Sequence, residues 1–134
     1  MIEGLSHLTF IVHDLGKMTR IMIEVLGAEE VYASGEKQFS TAPEKFFVAG
    51  GLWIAIMEGA SLATRSYNHV AFKVTDDQLE YAHAAVDRLG LDLKPPRQRV
   101  VGEGQSLYFH DYDNHLFELH TGTLGDRLAR YAKG

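Results

Sequence analysis

Two histidines occupy equivalent places in a repeated segment of the chain. His7 lies in the segment 5–12 (LSHLTFIV) and His69 lies in the segment 66–74 (SYNHVAFKV). In each segment the histidine follows a small polar residue and precedes alternating apolar positions, a pattern typical of a short strand. The histidines are 62 residues apart (69 − 7 = 62), close to half of the 134-residue chain. This repeat predicts one site built between two halves, with imidazoles as candidate metal ligands.

A carboxylate on the last strand is the third candidate ligand. Glu118 stands in the otherwise apolar run 116–120 (LFELH), where an unpaired carboxylate would be costly to bury. A metal ion would compensate its charge, and an ion pair with an arginine is the alternative. The same offset (118 − 62 = 56) places Ile56 at the equivalent point of the first half, so a fourth protein ligand is missing. Two imidazoles and one carboxylate with open positions suit a catalytic divalent metal.

The other five histidines have weaker claims to a chemical role. We expect His13 and His83 to be surface or packing residues, because one follows a strand and the other lies within a helical pattern. Three more flank or follow the last predicted hairpin and are only slightly better candidates: His110, His115 and His120.

The elements that must position these residues repeat in the same order. Apolar periodicity predicts strand, helix, strand, strand, strand in each half, followed by a final helix at residues 122–133. Three consecutive strands per half argue against a doubly wound parallel sheet. We therefore expect an α+β fold made of duplicated modules in a single domain over residues 1–134. Module one spans about residues 1–60 and module two about 65–134, with residues 58–65 as linker.

Composition limits the possible classes of protein. A chain that is 46% hydrophobic and 23% charged is ordinary for a globular protein, and no apolar run approaches the length that spans a bilayer. The absence of cysteine excludes disulfides and thiolate metal ligands. The formal net charge of −5 argues against a general nucleic-acid surface. No signal peptide is visible at the N-terminus, so the expected location is the cytoplasm.

The residues above also carry a resemblance to a known family. The chain resembles the vicinal oxygen chelate superfamily, and specifically its fosfomycin-resistance branch, from about residue 2 to residue 131. The segment Pro43–Phe47 (PEKFF) resembles the hydrolase kind within this branch, which uses the glutamate before Lys-Phe-Phe as its base. The segments that carry the wider resemblance are 4–9, 51–53, 67–72, 102–109, 113–120 and 122–124.

The resemblance implies a fold, an assembly and a site. The fold is a pair of βαβββ modules, swapped between two chains of a homodimer that holds two shared sites. His7 would come from one chain, and His69 with Glu118 from the other. Mn²⁺ is the usual metal, although other divalent metals can serve, and fosfomycin, an epoxide that bears a phosphonate, is the substrate. The implied base is Glu44, and the implied substrate contacts are Thr9, Trp53, Arg99, Ser106, Tyr108 and Arg127.

The leading hypothesis is therefore metal-assisted hydration of the epoxide, with Glu44 taking a proton from water. Thiol transfer to the same epoxide is the nearest alternative. Its glutathione-using members bind potassium and carry a hydroxyl residue where this chain has Gly102, which disfavours that reaction here. More distant alternatives are an Fe²⁺ extradiol dioxygenase and a metal-free protein that sequesters the drug. No membrane or nucleic-acid partner is expected.

Overall fold

The computed structural model describes residues 1–37, 39–95 and 101–134, which form two compact units. The first unit contains Met1–Thr64 together with Tyr112–Asn114, and the second contains Arg65–Asp111 together with His115–Gly134. The elements of the first unit are β1 (His7–Val12), α1 (Leu15–Glu24), β2 (Glu29–Ala33), β3 (Glu44–Ala49) and β4 (Leu52–Glu58). Those of the second are β5 (His69–Lys73), α2 (Asp76–Arg88), β6 (Asp92–Leu93), β7 (Ser106–His110), β8 (Leu116–His120) and α3 (Leu124–Ala132).

Each unit contains a four-stranded mixed sheet. The strand order is β1-β4-β3-β2 in the first unit and β5-β8-β7-β6 in the second. In both sheets the first strand runs parallel to the last strand of its unit, and the other pairs are antiparallel. The predicted α+β class and the duplicated βαβββ order are therefore confirmed.

Local sequence signals explain where the helices begin. The side chain of Asp14 accepts a hydrogen bond from the backbone N–H of Lys17 at 2.9 Å, which caps α1. Thr75 and Thr123 form capping boxes at the starts of α2 and α3. The last helix was expected from residue 122, but it begins at Leu124 because Thr123 occupies the cap position in extended conformation.

The strands of each sheet divide their residues between a buried and an open face. In β1, Phe10 and Val12 are buried, whereas His7, Thr9 and Ile11 are exposed. The buried positions share a core with α1, which buries Met18, Ile21 and Met22 at helical spacing. β5 shows the same alternation, since His69, Ala71 and Lys73 are exposed. The candidate histidines therefore lie on the open sheet face of their own unit.

The register corrects one sequence prediction. His7 lies opposite Trp53, whereas His69 lies opposite Leu116, so the last strands of the units are 63 residues apart (116 − 53 = 63) and not 62. Glu118 lies opposite Ala71, and the equivalent pair in the first unit is Thr9 with Ala55. Ile56 is fully buried and faces the core. The position that matches Glu118 is therefore Ala55, which has no metal-binding atom, and the first unit lacks a carboxylate ligand there.

In the described parts of the chain, no helix is long and apolar enough to cross a membrane.

Candidate metal and substrate site

His69 and Glu118 meet on the open face of the second sheet. β5 and β8 are parallel neighbours, and His69 Nε2 lies 3.1 Å from Glu118 Oε1. Glu118 stands between apolar residues of the same strand, and it is only 6% exposed although it is a carboxylate. The structure thus brings together two of the three predicted metal ligands, and it does so at a carboxylate that is nearly excluded from water.

The hydrogen bonds of His69 define which of its nitrogens faces the carboxylate. Nδ1 lies 2.8 Å from the backbone carbonyl oxygen of Tyr67, and a carbonyl can only accept, so Nδ1–H is the donor. In the neutral ring Nε2 then carries a lone pair, assigned from this network, and that lone pair points at Glu118 Oε1. Two acceptors in contact need a proton or a metal cation between them. A backbone carbonyl that orients the outer nitrogen is the usual arrangement of a metal-binding histidine.

Two hydroxyl groups complete the surroundings of Glu118. Ser106 Oγ donates to Glu118 Oε2 at 2.6 Å. Tyr108 lies directly opposite Glu118 in the antiparallel β7–β8 pair, and its hydroxyl is 3.3 Å from that of Tyr67. Burial, followed by the interactions with Tyr67 and Glu118, raises the pKa of Tyr108. Its hydroxyl therefore stays protonated near neutral pH and remains available as a donor.

His7 lies on the open face of the first sheet, beside an aromatic wall. Its ring packs against the Trp53 ring at a tilt of 31° with 4.2 Å between centroids, and its Nδ1 is 3.0 Å from Ser6 Oγ. Trp53 in turn meets the edge of Phe46 at 5.2 Å, and 39% of the tryptophan surface is exposed. Thr9 follows two residues later on the same face. The structure therefore groups His7, Thr9 and Trp53 in the first unit.

Glu44 lies on that same face but at its far end. It opens β3 opposite Met57, and its backbone N–H donates to Ser34 Oγ at 3.1 Å. Met57 is opposite Ile11, four residues along β1 from His7. Two strand spacings and four residues place the Cα atoms of Glu44 and His7 about 16 Å apart in a regular sheet. Glu44 and His7 of one unit cannot bind the same ion, but that span leaves room for an ion, a small molecule and a water between their side chains.

Two arginines were also predicted to contact the substrate, and the structure describes the position of only one of them. Arg127 begins the second turn of α3, where its Nε lies 3.0 Å from Glu103 Oε1. Arg99 lies outside the described residues. Among the residues that the structure describes, no group of three or more His, Asp or Glu side chains could hold a metal ion. The predicted ligands therefore occur as a pair in the second unit and a single histidine in the first.

Two further residues, Lys94 and His120, lie beside Tyr108 and Glu118 and were not among the predicted site residues. Lys94 Nζ lies over the Tyr67 ring at 5.1 Å and over the Tyr108 ring at 5.8 Å. His120 Nδ1 is 2.7 Å from Ser106 Oγ and shares the face of Glu118. The two-residue spacing of Glu118 and His120 was the available signal for the histidine. Nothing in the local sequence indicates the lysine.

The other histidines of the last hairpin have different surroundings. His115 Nδ1 lies 2.7 Å from Asp111 Oδ2, in a partly buried pair that closes the hairpin. His110 is buried at the end of β7, and this burial lowers its pKa. The polar side chains beside the Glu118 carboxylate are instead those of His69, Ser106 and His120.

Comparison with known proteins relates this arrangement to a family and to solved structures. The model of the Glyoxalase/Bleomycin resistance protein/Dioxygenase superfamily matches residues 4–119. Fosfomycin resistance protein FosX of Mesorhizobium japonicum is 62% identical over 134 residues, which cover 100% of this chain and 96% of that protein. Metallothiol transferase FosB of Shouchella clausii is 38% identical and covers 99% of this chain and 90% of its own length.

A solved structure adds the ligands found in a relative. The crystal structure of a mutant FosX from Listeria monocytogenes, complexed with Mn(II) and 1S,2S-dihydroxypropylphosphonic acid, is similar to this chain with a TM-score of 0.87. It is 52% identical, and the match covers 98% of this chain and 99% of that chain.

Proposed function

We propose that this chain, which belongs to the Glyoxalase/Bleomycin resistance protein/Dioxygenase superfamily, is a Mn²⁺-dependent enzyme that adds water to the epoxide of fosfomycin. It thereby confers resistance to this antibiotic. FosX of Mesorhizobium japonicum is 62% identical, and the diol in the Listeria FosX crystal is the compound that water addition to an epoxypropylphosphonate gives. Mn²⁺, present in that crystal, is the metal cofactor of the proposed reaction.

One observation in the structure carries the proposal. The lone pair of His69 Nε2 and the carboxylate of Glu118 face each other at 3.1 Å, although the carboxylate is nearly buried. A divalent cation satisfies both acceptors at once, and an imidazole–carboxylate set that leaves positions open is suited to catalysis. The donor set present in the chain therefore fits the metal.

The proposed reaction assigns a task to each group of residues. His7, His69 and Glu118 hold the metal, which supplies Lewis acidity to the ring oxygen when it is bound. Glu44 removes a proton from water as the water oxygen forms a bond to a ring carbon. The carbon–oxygen bond of the ring breaks, and the released oxygen takes up a proton to give the diol. Tyr108 offers an O–H donor and Arg127 offers N–H donors to the phosphonate, and Trp53 with Thr9 forms a wall beside the substrate.

The proposal also includes the assembly: the protein is a homodimer of single-domain chains, and residues of both chains form each site. His7 of one chain would join His69 and Glu118 of the other, because each unit alone carries an incomplete ligand set. His7 and His69 are exposed in the single chain, whereas Glu118 beside His69 is only 6% exposed. A further apolar stripe is exposed on α3, where Leu124, Leu128 and Tyr131 are 73%, 57% and 60% exposed. Clustered apolar exposure of this kind is typical of a surface that a partner covers.

Turnover with excess substrate tests whether the protein is an enzyme. Fosfomycin in large molar excess over protein should be consumed completely after Mn²⁺ is added to metal-stripped protein, as followed by ³¹P NMR. Because one protein molecule must process many substrates, a sequestering protein would instead remove at most one equivalent per site. Complete consumption by the metal-stripped protein would also overturn the proposed role of the metal.

Thiol transfer to the epoxide remains the second candidate, favoured by the 38% identity to metallothiol transferase FosB. The backbone conformation of Gly102 argues against the potassium-binding form of that reaction, whose members carry a hydroxyl residue at this position. Its φ of +89° lies in the region that residues with a side chain rarely adopt. A hydroxyl residue at this position would be strained in the observed loop conformation.

A further inference from the structure

We propose that Ser106 and His120 form a relay that positions the Glu118 carboxylate and thereby sets the affinity of the site for its metal ion. Neither residue would bind the metal itself. The inference rests on the proposed function, because it concerns the orientation of a residue that the proposal makes a metal ligand. It assigns to Ser106 a different task from the substrate contact that the family resemblance implies.

The relay follows from two short hydrogen bonds at one hydroxyl group. Ser106 and His120 lie directly opposite each other on β7 and β8. Ser106 Oγ is 2.6 Å from Glu118 Oε2 and 2.7 Å from His120 Nδ1, whereas His120 Nδ1 is 3.5 Å from Glu118 Oε2, beyond a short hydrogen bond. A carboxylate can only accept, so the single proton of the hydroxyl goes to Glu118. His120 Nδ1–H must then donate to Ser106 Oγ, and the chain of donors runs from His120 through Ser106 to Glu118.

Gly122 packs against the ring of His120, and Lys73 fixes the backbone that follows it. Lys73 lies opposite His120 on β5, and its ammonium group donates to the backbone carbonyls of Thr121 and Gly122. Gly122 is buried, and a Cβ there would clash with the Glu103 carbonyl oxygen and come within 2.7 Å of His120 Nε2. A larger residue at position 122 would therefore displace either the imidazole or the backbone. This close packing fixes the imidazole in the position from which it reaches Ser106.

The two oxygens of Glu118 consequently have separate tasks. Oε1 faces His69 Nε2, while Oε2 accepts the Ser106 proton, so the relay fixes the rotation of the carboxylate about its long axis. Hydrogen-bonded partners of metal-binding carboxylates commonly change metal affinity by about 10- to 100-fold when removed. Because the Ser106 proton is already directed at Glu118, we infer that this serine acts on the metal site and not on the phosphonate.

Manganese titration in the absence of fosfomycin separates these two roles. Binding is measured by electron paramagnetic resonance of free Mn²⁺ with the metal-stripped, full-length protein. Ser106→Ala and His120→Leu should each weaken Mn²⁺ binding by about 10- to 100-fold. His120→Asn can keep an N–H donor near the position of Nδ1 and should retain most of the affinity. His83→Asn on the exposed surface of α2 is the matched control and should bind as the parent does.

The double variant Ser106→Ala/His120→Leu provides the sharper test. If His120 acts only through Ser106, the double variant should bind Mn²⁺ no more weakly than the weaker single variant. Additive losses would overturn the relay, and so would parent-like Mn²⁺ affinity in Ser106→Ala. A raised KM for fosfomycin at saturating Mn²⁺, with unchanged Mn²⁺ affinity, would return Ser106 to the role of a substrate contact.

The parent protein distinguishes failure of this inference from failure of the proposed function. If the parent protein neither binds Mn²⁺ nor consumes fosfomycin, the proposed function itself is wrong. If the parent protein does both and the variants bind Mn²⁺ equally well, only the relay is wrong. Thermal unfolding of each variant establishes that it is folded, and Ser106→Ala alone decides the question if His120→Leu does not fold.

Discussion

Glu44→Gln should lower the rate of fosfomycin hydration by about 10²- to 10⁴-fold, the usual contribution of a positioned general base. Water is a poor nucleophile near neutral pH, so removal of its proton as the bond to carbon forms is the step that needs help. Glutamine keeps the size and much of the polarity of Glu44 but cannot accept that proton. The measurement is kcat for diol formation at saturating Mn²⁺ and fosfomycin.

Two controls make the loss specific to the base. Mn²⁺ affinity should be unchanged, because Glu44 lies about 16 Å from His7 along the sheet and is not one of the proposed ligands. Glu36→Gln removes an exposed carboxylate from the turn before β3 and should keep parent activity. Hydration at the parent rate by Glu44→Gln would show that another group is the base. Any thiol addition should fall less, because a thiol can react as its own thiolate.

Co-expression of two inactive chains should restore activity if the site is shared between chains. His7→Ala and Glu118→Ala should each lose nearly all hydration, because each removes a ligand from both sites of a homodimer. A mixed dimer regains one intact site, built from His7 of one chain and the His69–Glu118 pair of the other. With random pairing we expect about a quarter of parental activity, since half the dimers are mixed and each has one intact site of two.

The matched control for this experiment uses two ligands from the same unit. His69 and Glu118 contact each other within one chain, so His69→Ala and Glu118→Ala chains should not restore activity when mixed. Purification through two different tags establishes that mixed dimers are present. Inactive mixed dimers of His7→Ala with Glu118→Ala, or a strictly monomeric active protein in sedimentation, would contradict the shared site.

The fold was largely predictable because the repeated elements have local sequence signals, such as apolar alternation in strands and helix caps. Alternation in segments such as 5–12 places His7 and Thr9 on one face of the strand and Phe10 on the other. The open face of β1 follows from that period alone. The cap of α1 by Asp14 is likewise a local feature, because the side chain bonds to the backbone three residues later. These features depend on neighbouring residues, and tertiary packing did not override them.

Register was harder to predict than element order, as Ile56 and Ala55 show. A single offset of 62 assumed equal connections in both halves, whereas the last strands are related by 63 residues. In a strand, an error of one residue moves a side chain from the open face to the core. No local signal in the sequence reveals a one-residue difference in loop length.

The candidate site was only partly predictable from the residues themselves. Glu118 was visible because a carboxylate inside an apolar strand needs a partner. The contacts of Ser106 with Glu118 and His120 depend on which residues of β7 and β8 face each other, which the sequence does not specify. Glu44 and Arg127 look like ordinary polar residues, and only the resemblance to a family singles them out.

Water labelled with ¹⁸O provides the most direct test of the proposed reaction. Fosfomycin is incubated with the Mn²⁺-loaded protein in labelled water that contains an excess of a small thiol, and the products are analysed by mass spectrometry. The proposed mechanism predicts dihydroxypropylphosphonic acid that carries one labelled oxygen, because water supplies one hydroxyl oxygen and the epoxide ring supplies the other. A thiol adduct as the main product, or fosfomycin that is recovered unchanged, would contradict it.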